Sequence, residues 1–213
     1  MNLQSTFGRT TAWLGCALSL LLPPSLRSDP GDFSSPLIGY EVVGQVLNPS
    51  ATQSQQYGYL NLVRGLDRIT TSAGATVSES TALFTFFNDT ATERVINNGS
   101  IRVIDRTGTG AIYFGSGNGT FATPDTFKNG TPVQNFTLRH QVAIDTSTGY
   151  FTATFEMTIT SSKSFQIDGK TYRLGHKGGV YRLNVFGKLA SPTPPSAYIA
   201  GVADGNGAEM LDN

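Results

Sequence analysis

The sequence predicts an all-β protein built as a single antiparallel β-barrel, with a two-sheet β-sandwich as the alternative. Three observations carry that expectation. Gly, Thr and Ser are abundant, and long runs of Glu, Lys, Leu and Ala are missing, a mix that favours strands and turns over helices. Residues 149–161 alternate cleanly: Phe151, Ala153, Phe155, Met157 and Ile159 against Thr152, Thr154, Glu156, Thr158 and Thr160, which gives one buried and one wet face. About nine or ten such segments recur, joined mostly by short turns, and that spacing suits a meandering barrel better than a Greek-key sandwich.

Taken in order, the first strand is LIGYEVVGQVL (37–47) and the second YGYLNLVRGL (57–66). A polar loop, TTSAGATVSES (70–80), precedes TALFTFFND (81–89). RVINN and SIRVID flank Asn98-Gly99, a two-residue turn signal. GAIYFGSG (110–117) comes next, followed by a Gly-, Pro- and Asn-rich segment (117–132). The pair 133–145 and 149–161 follows, then FQIDGKTYRLG, which folds back at Asp168-Gly169, and GVYRLNVFGKLA (179–190). SPTPP (191–195) breaks the pattern, so 37–190 is the expected barrel domain and 191–213 a Pro- and Gly-rich tail outside the core.

The pair 133–145 and 149–161 predicts its own register. If Asp145 to Gly149 makes the turn, Ile144 faces Phe151, Val142 faces Ala153, Leu138 faces Met157 and Arg139 faces Glu156. Every oily residue then meets an oily partner, which a one-residue slip would forbid. The same register sets His140, in the middle of an oily row, opposite Phe155.

The N-terminus reads as an export signal. Arg9 is the only charge in the first 26 residues, residues 12–22 are apolar, and Pro23-Pro24 ends the run. Such a run is shorter than the ~20 residues that span a bilayer and suits a signal-peptide core. A signal peptide of 1–28 is expected, cut between about residues 24 and 35, with a secreted or periplasmic product and no membrane span in the mature chain. Cys16 is the only cysteine, so the exported domain is expected to be disulfide-free and to rely on its core. The sequons at Asn88, Asn98, Asn118, Asn129 and Asn135 mark expected surface positions.

The strand pattern resembles that of lipocalin-type and allene-oxide-cyclase or dirigent-type barrels. The resemblance is one of strand pattern and brings no site residues with it.

Basic and acidic residues balance at 15 each, which removes the basic stripe that nucleic-acid binding needs. There is no G-x-S-x-G, Walker loop or H-E-x-x-H motif, and no cofactor or metal is expected. The only histidines, His140 and His176, are too few for a histidine-rich zinc site. His176 reads as a solvated turn residue and Glu41 as outward-facing.

Two candidates remain on oily faces. His140 is either a ligand anchor or a core imidazole hydrogen-bonded to a neighbour. Arg64, in the row Leu60, Leu62, Arg64, Leu66, is either a second anchor or a strand-end residue reaching out to water. With Phe155 opposite His140, these three residues make up the candidate ligand site. The leading function is therefore a barrel that binds a small hydrophobic molecule in its interior. The alternatives are an extracellular structural or interaction module with a filled core, and a cofactor-free cyclase or isomerase. An apolar cavity above ~300 Å³ would favour binding, a filled interior the module. Oligomeric state is left open.

Overall fold

Among the described residues eleven strands arise where the sequence alternates: β1 (Ile38–Ser50), β2 (Gln53–Val63), β3 (Phe84–Asn98), β4 (Ile101–Phe114), β5 (Thr131–Asp145), β6 (Tyr150–Ser162), β7 (Ser164–Ile167), β8 (Lys170–Leu174), β9 (Val180–Leu189), β10 (Ala197–Asp204) and β11 (Ala208–Met210). The computed structural model describes residues 38–115 and 117–211. The expected signal peptide, its cleavage site and Cys16 lie outside the described residues.

Eight strands close into an antiparallel barrel in the order β1-β10-β9-β6-β5-β4-β3-β2. Six consecutive strands neighbour one another, as a meander does. The barrel, and not the sandwich, is the fold. The other three strands form a small sheet, β11-β8-β7. It packs over one end of the barrel, where the Phe165 ring meets Phe84 at 5.3 Å and Phe114 at 4.9 Å. The two sheets share one core, running from Tyr40 and Tyr181 through Met157 to Phe165 and Leu174. A satellite cluster lies outside the barrel wall, where Phe121 and Phe127 of the 115–130 loop cover Tyr57 and Phe87. Among the described residues no helix is long and apolar enough to cross a membrane.

The β5–β6 register is the expected one: Ile144 pairs with Phe151, Val142 with Ala153, His140 with Phe155, Arg139 with Glu156 and Leu138 with Met157. The turn is held by the Asp145 carboxylate, which accepts from Ser147 N and Oγ and from Thr148 Oγ1. Facing Glu156 does not make Arg139 its ion-pair partner. Glu156 lies between two arginines and meets Arg182 of β9 at 3.4 Å; both side chains are exposed, so the contact adds little.

The tail is the largest departure from expectation. The prolines do interrupt the strand pattern, but only as the β9–β10 connection. Beyond them Ala197, Ile199 and Ala203 resume the inward alternation and are buried. β10 pairs with β9 on one side and β1 on the other. The barrel domain therefore extends past residue 190, and residues 197–204 close it.

Glycines set how closely the strands approach. Gly44 and Gly58 face each other across β1 and β2, and the Phe86 ring lies over both. A Cβ on Gly58 would lie 2.1 Å from the Val43 carbonyl oxygen and 2.6 Å from Gly44 Cα. These are backbone atoms, so no side-chain rotation can make room. Gly58→Ala is expected to lower stability by ~1–3 kcal/mol. Urea titration checks this, and an unchanged midpoint would contradict it.

Candidate functional site

The end of the barrel away from the small sheet carries the β1–β2, β3–β4 and β5–β6 turns and the β9–β10 connection. Here the inward row changes character. On β2 it reads Ser54 and Gln56, and on β3 Asn88 and Thr90. On β4 it contributes Arg106, and on β5 His140; all six are buried. A cavity of about 70 Å³ opens beside four of them. One wall is polar (Ser54, Gln56, Arg106, His140); the other is apolar (Phe151, Ala153, Phe155, Val185, Ile199). Asn48 and Leu189 stand at its outer rim.

His140 is 2% exposed and sits edge-on to Phe155, with ring centroids 4.4 Å apart. Neither ring nitrogen meets a hydrogen-bond partner among the described residues. The expectation of a hydrogen-bonded core imidazole is therefore not met. The reason lies in its neighbours: the side chains of Phe155 and Val142 offer no polar atom, and Arg106, directly across the β4–β5 ladder, directs its Nε to Thr92 instead. Burial first, then the charge of Arg106, push the imidazole down to about 3, with Asp105 acting weakly the other way. At neutral pH the ring is uncharged, with one N–H donor and one nitrogen acceptor.

Arg106 is 9% exposed. Its Nε donates to Thr92 Oγ1 at 3.3 Å, and it has no ion-pair partner among the described residues. The acid next to it in sequence is already engaged. Asp105 points to the opposite face, where its carboxylate accepts from Gln141 and Arg94. Those hydrogen bonds, Gln141's first, hold it below the ordinary carboxylate range. Arg102, four residues earlier on the same face as Arg106, stands exposed at the mouth. Gln56 donates its amide N–H groups to Ser54 Oγ (2.9 Å) and Thr90 Oγ1 (3.3 Å), and its Oε1 has no donor among the described residues.

Of the three residues expected at the site, the structure brings His140 and Phe155 together and leaves Arg64 out. The cause is a β-bulge. The β1–β2 register shifts between Glu41/Leu62 and Val42/Leu60, and one extra residue turns every later side chain to the other face. Leu60 is buried, Leu62 is 39% exposed, Val63 takes the next inward place, and Arg64 ends exposed beyond the strand. Its reach to water is the strand-end alternative.

Arg106, Gln56 and Ser54 complete the site and are not among the residues the sequence singles out. Their signal was parity. Ile104, Arg106, Gly108, Gly110 and Ile112 form one inward row, hidden when RTGTG is read as a break between strands. Ser54 and Gln56 lie on the same row as Leu60 but before the expected start of β2. Asn88 is a further correction. It is 2% exposed inside the barrel, so this sequon is not a surface position, while Asn98, Asn118 and Asn129 are exposed. His176 is exposed in its turn, as expected. Glu41 is half-buried and accepts a hydrogen bond from Asn61 at 2.8 Å.

No family model matches the chain, and neither does any curated protein or solved structure.

Proposed function

We propose that this is an exported β-barrel that binds a small molecule in the cavity at its open end. The observation that carries the reading is the pair of bare ring nitrogens on His140, 2% exposed and lining a cavity with Arg106 and Gln56. Buried polar atoms in folded proteins are nearly always satisfied. A cluster of three unsatisfied or unpaired polar groups at one cavity is costly to keep, and a ligand that bonds to them offsets that cost. Export rests on the apolar run 12–22 followed by Pro23-Pro24.

The cavity restricts what can bind. Its volume, about 70 Å³, is far below the ~300 Å³ of a drug-sized pocket, so a large hydrophobic molecule does not fit inside. The ligand is small, or it inserts only one end. Binding is favoured over catalysis because an imidazole pushed down to about 3 is a weak general base at neutral pH. Elsewhere the interior carries a continuous core of buried apolar side chains, which favours the second reading, an extracellular structural module whose buried polar groups hold water.

Native mass spectrometry of protein purified without denaturation separates the two. The binding reading expects a small-molecule adduct that is lost on unfolding. The adduct is also expected to be absent from Ala153→Leu, whose larger side chain fills the apolar wall. A bare mass for both proteins would support the module instead.

A further inference from the structure

We propose that the group taken by this cavity is a carboxylate on a short apolar body, held by Arg106 with His140 and recognised through its negative charge. This deepens the ligand-binding reading above and rests on it.

A guanidinium that is nine-tenths buried without a counter-ion is costly, and the structure denies Arg106 the acid closest to it in sequence. Asp105 faces the other side of the sheet and is bonded to Arg94 and Gln141. On the inward face the groups nearest Arg106 are His140 across one ladder and Thr92 across the other. Neither carries negative charge. The inward cation is therefore free to pair with an anion that enters from the mouth. Arg102, exposed on the same face, strengthens the attraction.

Shape decides which anion. The flat guanidinium fork matches the two oxygens of a carboxylate or of a phosphate. Phosphate and sulfate present oxygens on all sides and need donors around them. The far wall here is Phe151, Ala153, Phe155, Val185 and Ile199, which offers none. A carboxylate turns its oxygens to Arg106 and the His140 N–H, and its carbon chain to that wall. The volume of about 70 Å³ limits the inserted part to an acid group and a few carbons.

The test is a titration of the folded protein followed by long-range proton–nitrogen NMR of the imidazole rings, with exposed His176 as the internal control. The probes are acetate, propionate and butyrate, their uncharged analogues propionamide and propanol, and inorganic phosphate. The expected result is a saturable shift of the His140 nitrogens with the acids, absent or far weaker with the uncharged compounds and with phosphate. Arg106→Met is expected to weaken propionate binding by roughly tenfold or more, with Arg106→Lys in between. If Arg106→Met fails to fold, Arg106→Lys and the acid-versus-amide comparison in the natural protein still decide. Propionamide or phosphate binding as tightly as propionate would overturn the carboxylate assignment and leave the ligand site standing. If no probe shifts His140, the ligand site falls, and the assignment with it.

Discussion

Removing residues 196–213 is expected to abolish cooperative folding. β10 is hydrogen-bonded along both edges, to β1 through Tyr40–Val46 and to β9 through Arg182–Leu189. Without it those two strands face each other across a missing ladder, and each presents unpaired N–H and C=O groups. The cut also strips Ala197, Ile199 and Ala203 from the core. It removes β11 from the small sheet and Asn206 O, which accepts from the Tyr181 hydroxyl at 2.7 Å. The combined loss is expected to exceed ~4 kcal/mol, the range in which single structural features become decisive. A gentler version is Ile199→Ala, expected to cost ~2–5 kcal/mol for a buried large-to-small change. Urea unfolding followed by circular dichroism measures both. A truncated chain that unfolds cooperatively within ~1 kcal/mol of the full chain would mean that β10 is not part of the barrel.

His140→Phe is expected to remove most of the pH dependence of stability between pH 4.5 and 6.5. In the unfolded chain the imidazole titrates near its ordinary value of 6.5; in the folded barrel it is held down to about 3. Between those values the unfolded state carries a proton that the folded state does not. Stability from this group is thus fully present above pH 6.5 and is lost as the pH falls toward 3. The slope is about 1.4 kcal/mol per pH unit, and over two units the natural protein should lose roughly 2–3 kcal/mol relative to the variant. At neutral pH the variant should be as stable as the natural protein or more so. No protein partner is orphaned by the change, and two unsatisfied buried nitrogens disappear. The ligand is expected to be lost. A residue that stabilises the fold less than its apolar replacement, yet occupies a buried cavity, fits a role in binding. Stability curves that run parallel from pH 7 to 4.5 would show that His140 is protonated or solvated in the folded state.

The two effects also mark what the sequence reveals and what it hides. Strand parity is written locally, so the β5–β6 register and the inward placement of His140 opposite Phe155 were both readable. So was the Asp168-Gly169 turn, where both residues have positive φ (52° and 76°). Features that depend on a partner strand were not. The β2 bulge that carries Arg64 outward exists only relative to β1, and nothing in YGYLNLVRGL announces it. The glycines at 108 and 110 interrupt a hydrophobic pattern without interrupting the strand, because their neighbours fill the space: Phe136 and Asn88 crowd Gly110. That break concealed Arg106. The prolines at 192, 194 and 195 are a true stop signal, but local sequence cannot distinguish a turn inside a barrel from the end of one. Closure of the barrel between β1 and β10 is the most distant pairing among the described residues, and so the least visible.

The most direct measurement of the central claim is a crystal structure of the protein purified without denaturation. Electron density larger than a water molecule is expected in the open-end cavity, in contact with the Arg106 guanidinium and the His140 ring. A cavity holding only isolated waters, or closed by a shifted Phe151 or Phe155 ring with Arg106 turned out to solvent, would contradict it.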